Sequence, residues 1–423
     1  MFQRSHSHLK RIDKHNSLSY TPKHDDINTW QLGLADLSPT PTICNHSQDL
    51  TDYLQLILTA RVHEVVGPTP LNKAHGLSEE LGCSVMLKRE DTQPGYSYRL
   101  RGIYNRIVNL DKELRWKGVI TSSASDALAV SYAAKELRTP SIIVLPEYTS
   151  KNRIKELTRL GSTVKLHGLS TDAAKEESLR LQSLHDLIAI PQPGDEYVIA
   201  GHGTIGQEII QQTIPGQAEA VFCPIACGTL IAGLGIYIKR IAPQIKVIGV
   251  QLHDSTDVSR LIHCKGQSTL EEHLILRNVY PKVARNCSGV IDDIVHVTMN
   301  EVLIATKDIY EDTRQLLNTE GALAVAGMKS WITSKGLIGS GKDFVAITTE
   351  AQLDFSEISY IVKQASLAEM AMGSENESGL GSLMPAGTAS TCAGDGWSSS
   401  TTVIGTETCA SFTSDVDGSL WNS

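Results

Sequence analysis

Three short segments carry the residue types that do chemistry. In LKREDTQPGYSYRLRG (87–102), the charges Lys88, Arg89, Glu90 and Asp91 read as a strand end whose side chains pair with one another, and Arg99 and Arg101 follow. In SSASDA (122–127), the hydroxyls of Ser123 and Ser125 lead into the carboxylate of Asp126. In CPIACGTLIAG (223–233), Ala226, Cys227, Gly228 and Thr229 separate an apolar run from a helical pattern. Small residues ahead of a helix let backbone N–H groups converge on an anion, with help from the helix dipole. Side chains at 226, 227 and 229 narrow the backbone freedom that glycine permits and crowd such an anion, although the Thr229 hydroxyl can donate to it.

Other reactive side chains read as structural. Cys223 and Cys227 have metal-pair spacing, but no second pair or histidine cluster accompanies them, so a strand end running into a loop is preferred and no metal is expected. His63, His75 and His202 stand alone and read as surface or loop residues. The AGHGT segment around His202 reads as a turn, and nothing in the sequence places an acid beside it.

The elements that must position these segments alternate regularly. Short apolar runs at 118–121, 141–146, 163–166 and 187–190 read as buried strands. Between them SDALAVSYAAKELR, SKNRIKELTRL and TDAAKEESLRLQSLH carry apolar residues at helical spacing. From residue 203 the pattern resumes: GTIGQEIIQQ as a helix, AEAVFCPI as a strand, TLIAGLGIYIKRIA as a helix and IKVIGVQL as a strand. NEVLIATKDIYEDTRQLL and GALAVAGMKSWI follow as helices, and DFVAITTE supplies a last strand. Repeated strand–helix–strand units imply right-handed crossovers and parallel sheets. The expected fold is α/β, with two open twisted parallel sheets, helices on both faces and a cleft between them. Ligands of such sheets sit at the carboxyl ends of strands, where all three chemical segments lie.

Composition bounds the function. The chain has 423 residues, 41% hydrophobic and 20% charged, as a soluble protein of two or more domains has. No apolar run approaches the roughly 18 residues of a membrane span, so no membrane is expected. Seven of the nine net negative charges fall within residues 364–423, leaving -2 for the body and no basic patch for nucleic acid. The eight scattered cysteines suit a reducing compartment. Arg4, Lys10, Arg11, Lys14 and Lys23 against the single acid Asp13 resemble a weak mitochondrial presequence, so the expected location is cytoplasmic or mitochondrial. Residues 371–423 are rich in Ser, Gly and Thr without periodicity and read as a disordered tail.

Taken together, KRED, the YSYRLRG stretch, SSASDA and CPIACGTLIAG resemble motifs of the serine/threonine dehydratase family, pyridoxal-phosphate enzymes of fold type II. VHEVVGPTPL, IAGHGTIGQE and GALAVAGMK lie in the family's order, and the resemblance covers roughly residues 50–365. It is nearest to biosynthetic threonine dehydratases, which convert threonine to 2-oxobutanoate and ammonia for isoleucine synthesis. It implies an N-terminal extension at 1–45, a large domain at 46–97 and 191–370, a small domain at 98–190, and the tail in place of a regulatory domain. It also implies pyridoxal 5'-phosphate as cofactor, threonine or serine as substrate and a homo-oligomer.

In that family a lysine forms an imine with the cofactor and then removes the substrate α-proton. The matching residue here is Arg99, whose guanidinium stays protonated and offers no free amine. The resemblance implies that Ala226, Cys227, Gly228 and Thr229 stand where four glycines hold the phosphate. Ser123 and Asp126 stand in the substrate-carboxylate loop, where Asp126 is expected to repel the substrate. Thr349 matches the serine that bonds the pyridine nitrogen, and Asn318 stands where a glutamate is usual. The expectation is a dehydratase-like chain that is impaired or silent and lacks covalent cofactor. A working lyase, and a non-catalytic partner of an active relative, are the alternatives.

Overall fold

The computed structural model describes residues 53–192, 194–253 and 281–379. The expected presequence-like segment, residues 1–24, and the tail from 380 onward lie outside the described residues. In chain order the described strands are β1 Leu71–Lys73, β2 Ser84–Arg89, β3 Val119–Thr121, β4 Ser141–Leu145, β5 Thr163–Leu166, β6 Ile188–Ala189, β7 Ala218–Pro224, β8 Lys246–Leu252, β9 Asp293–Val297 and β10 Asp343–Thr348. They form a six-stranded sheet in the order β1-β2-β10-β7-β8-β9 and a four-stranded sheet in the order β5-β4-β3-β6.

Helices cover both faces, and the fold is the expected open α/β architecture. The small sheet is parallel throughout. The large one is parallel except at its edge, where β1 runs antiparallel to β2 with Leu71 opposite Lys88. A three-residue edge strand has no periodicity to read, so β1 escapes sequence analysis.

Continuous apolar runs become strands buried on both faces, because successive side chains point to opposite sides. Along β10, Val345 and Ile347 enter the core under the helices Glu196–Gln212 and Thr229–Ile241. Phe344 and Ala346 enter the opposite core with Phe222 and Trp331, whose rings meet edge-on at 5.6 Å. The small sheet behaves likewise, with Val119 in one core and Ile120 in the other.

Two boundaries differ most from the sequence reading. The helix expected from residue 203 begins at Glu196, capped by the Asp195 carboxylate, which accepts from the N–H groups of Tyr197 and Val198 at 2.9 and 3.3 Å. AGHGT is therefore helical and not a turn. Its glycines serve close packing: a Cβ on Gly201 would lie 2.5 Å from the Arg101 carbonyl oxygen. On the facing helix a Cβ on Gly233 would lie 2.1 Å from the Ile199 carbonyl oxygen. In a single sequence, glycine that permits contact looks the same as glycine that makes a turn.

The second difference is the helix Phe355–Gly379, which runs through residues 371–379, the start of the expected tail. That stretch still holds the helix formers Ala371, Met372, Glu375 and Glu377, and extending an existing helix costs far less than nucleating one.

Candidate active site

The loops after β2, β3, β7 and β10 converge on one cleft. Arg99 opens the helix Arg99–Val108, and its side chain is only 14% exposed. Its Nε donates to Glu350 Oε2 at 3.3 Å and its Nη2 to Glu320 Oε2 at 3.2 Å, while Nη1 lies 3.6 Å from Asp126 Oδ1. The guanidinium also sits 5.1 Å from the centre of the Tyr98 ring. Glu350 is 4% exposed and is fixed further by Asn318 Nδ2 at 2.7 Å and Ser97 Oγ at 3.2 Å. Burial opposes charge on Arg99, but the negative groups around it outweigh burial and hold its pKa well above the usual value. Loss of water on the side of Glu320 that faces the cluster and the neighbouring Glu350 charge raise its pKa, with Arg99 acting against them, although 61% of the side chain is exposed.

A cavity of about 300 Å³ opens beside this cluster, lined in part by Arg99, Ser123, Asp126, His202, Cys227 and Thr229. Five of the positions that the resemblance assigns to the site, Arg99, Ser123, Asp126, Cys227 and Thr229, are thus brought together. Ala226 and Gly228 belong to the same loop as Cys227 but do not line the cavity. Both adopt left-handed backbone, Ala226 at φ +41° and Gly228 at φ +84°, so the alanine occupies a conformation that glycine takes freely. Gly228 precedes the helix Thr229–Ile241 without a capping side chain, and Cys227 Sγ lies 3.3 Å from Thr229 Oγ1.

The remaining hydroxyls are turned toward protein. Ser123 Oγ accepts from the Asp126 N–H at 3.3 Å. Thr349 donates its hydroxyl to the Glu320 carbonyl at 3.0 Å, and its own carbonyl accepts from the Tyr98 N–H at 3.0 Å.

His202 departs from the sequence reading. It is 3% exposed, lies inside the helix Glu196–Gln212 and packs on Tyr98 with ring centres 5.0 Å apart. Burial, reinforced by the Arg99 charge, pushes its pKa down to about 3 and keeps the imidazole neutral. Its nitrogens make no hydrogen bond of ordinary geometry, and the Thr229 backbone acts against the fall in pKa. The misreading has one cause: glycines on either side of a polar residue suggested a turn. His63 is partly exposed, with Nδ1 3.1 Å from the Val66 carbonyl oxygen, and His75 begins a helix.

Sequence reasoning did not single out Glu320 or Glu350. They lie 221 and 251 residues from Arg99, and no local pattern joins them. Lys88 faces away from this cavity and is fully buried. Its ammonium donates to Glu208 at 2.6 Å, to Gln212 at 2.8 Å and to the Thr69 carbonyl at 2.8 Å. Among the described residues, no cluster of three or more His, Cys, Asp or Glu is arranged for a metal ion, and no helix is long and apolar enough to cross a membrane.

Two α/β units whose strand-end loops meet beside a loop that opens a helix define the fold type II class of pyridoxal-phosphate enzymes. The model of the pyridoxal-phosphate dependent enzyme family matches residues 62–350, and the chain belongs to that family, in its threonine dehydratase-like branch. It is 43% identical over 325 residues to a threonine dehydratase-like protein of Alternaria alternata, covering 75% of this chain and 80% of that one. It is 38% identical over 327 residues to the mitochondrial threonine dehydratase of Schizosaccharomyces pombe, covering 75% of this chain but only 54% of that enzyme. The processed form of threonine deaminase isoform 2 from Solanum lycopersicum superposes with a TM-score of 0.69 at 35% identity, covering 76% of this chain and 89% of that one.

Proposed function

We propose that this chain is a threonine dehydratase-like protein that does not hold pyridoxal phosphate as an imine and has little or no ammonia-lyase activity. The observation that carries this reading is Arg99, a guanidinium pinned by Glu320 and Glu350 in the cavity where the resemblance calls for a free amine. No lysine is among the described residues lining that cavity, and Lys88 is committed to Glu208 and Gln212. These residues do not fit a cofactor held through an imine. Cys227, which lines the cavity, adds crowding beside any phosphate, and Asp126 adds a like charge where a substrate carboxylate would land.

If the site retains a ligand, threonine or serine is the class implied by its relatives. The resemblance also supports a homo-oligomer, and a cytoplasmic or mitochondrial location follows from composition. The test is an absorbance spectrum of purified protein with and without pyridoxal phosphate, borohydride trapping, and an assay of 2-oxobutanoate from threonine. No trapped adduct at position 99 and no product above background are expected. Robust turnover by the wild-type protein would overturn the reading.

A further inference from the structure

Arg99 is one cation among three carboxylates that reach it from three directions. Asp126 comes from the loop after β3, Glu320 from the first turn of the helix Thr319–Ser334, and Glu350 from the loop after β10. The other ionisable neighbours are Tyr98, under the guanidinium, Cys227 in the same cavity, His202, which burial keeps neutral, and Arg153, a second cation whose charge interacts with Glu350. Three carboxylates thus face the one guanidinium, and the most buried of the three is Glu350. Between Glu350, 4% exposed, and Arg99, 14% exposed, the charges act at low effective dielectric, whereas Glu320, 61% exposed, is screened.

We propose that Glu350, assisted by Glu320 and Asp126, is a positioning residue that holds whatever basic group stands at position 99 as a cation. The carboxylates then exclude amine chemistry as firmly as the arginine does. This rests on the reading of Arg99 given above and extends it. The site is rebuilt around an ion-pair cluster, and returning a lysine to position 99 returns an ammonium with no free electron pair. Glu350 suits this role because Asn318 and Ser97 fix its carboxylate, so it cannot swing away when its partner is shortened.

The experiment measures the amine directly, without cofactor. Arg99→Lys protein is reductively methylated with ¹³C-formaldehyde, and each dimethyl-lysine signal is titrated by NMR, with position 99 assigned by comparison to wild type. The signal from position 99 is expected to titrate about one unit or more above the exposed lysines, a tenfold change in acid constant per unit. Glu350→Gln in that background should lower the midpoint more than Glu320→Gln does. A midpoint at or below that of exposed lysines, or one unmoved by either glutamine, overturns the proposal.

If Arg99→Lys does not fold, hydrogen exchange of the Arg99 Nε–H in otherwise native protein decides the matter. Exchange at least tenfold slower than at exposed arginines, restored by Glu350→Gln, supports the proposal, and unprotected exchange sinks it. Neither result depends on turnover. A cofactor adduct or active wild type would overturn the functional reading while leaving the titration to be judged separately.

Discussion

Arg101 and Glu208 form a bidentate pair, Nη1 to Oε1 at 2.5 Å and Nη2 to Oε2 at 2.9 Å, with the arginine fully buried and the carboxylate 2% exposed. Glu90 accepts from Nε and Nη2 of the same guanidinium at 2.8 Å each, and Lys88 closes the network on Glu208 at 2.6 Å. This network ties the strand end of β2 to the helices Arg99–Val108 and Glu196–Gln212, which carry Arg99 and His202 into the cleft. Its charges balance at two and two, and every member is hydrogen-bonded, the condition under which buried ions are tolerated.

Arg101→Met should therefore be severe. It leaves Glu90 without its cation and Glu208 with only Lys88, and breaking a buried pair costs about 3–5 kcal/mol. Urea denaturation of wild type and variant measures this, and Glu90→Gln added to Arg101→Met should recover part of the loss. An unchanged midpoint in the single variant would show that the network contributes nothing.

His202 makes stability depend on pH. Its folded pKa of about 3 lies below the unfolded value, so the unfolded chain binds the proton more readily. The stability tied to neutral imidazole is complete above the unfolded pKa of about 6.5 and is lost as pH falls from there toward 3. The slope is about 1.4 kcal/mol per pH unit in that window. Thermal melts of wild type and His202→Gln between pH 7 and 4.5 should show a flatter dependence in the variant, and parallel curves would refute the assignment.

Ala226 pays for its φ of +41° in backbone strain, since left-handed conformation costs a non-glycine residue about 1–2 kcal/mol. Ala226→Gly relieves that strain but loses roughly 0.5–1 kcal/mol through the freer unfolded chain. The expected net gain is about 0.5–1 kcal/mol, visible as a modest rise in melting temperature. A fall would mean that the alanine methyl makes packing contacts worth more than the strain.

Restoring one residue should not restore an enzyme. Arg99→Lys is expected to yield no 2-oxobutanoate from threonine, because Glu350 and Glu320 face the new amine and side chains at 226, 227 and 229 crowd the anion loop. Adding glycines at 226, 227 and 229 should at most allow weak cofactor absorbance. Robust turnover by Arg99→Lys alone would show that the loops are sound and that Arg99 is the only lesion.

Much of the fold was legible because it follows from periodicity. Strands such as SIIVL and AVFCP are short apolar runs between helical patterns, and burial on both faces leaves that mark on sequence whatever the partners are. The motif loops were legible because a strand end followed by a helix start fixes where a ligand can sit. Arg99, Ser123, Asp126, Cys227 and Thr229 could be named before their meeting was seen. Glu320 and Glu350 could not, since an acid 221 or 251 residues away becomes a neighbour only when β10 is laid between β2 and β7. His202 and β1 were hidden for related reasons: a glycine contact imitates a turn, and three residues carry no period. Local chemistry writes strands, helices and loops into the chain. Which charges face one another across the cleft depends on sheet order and helix packing, which long-range contacts alone decide.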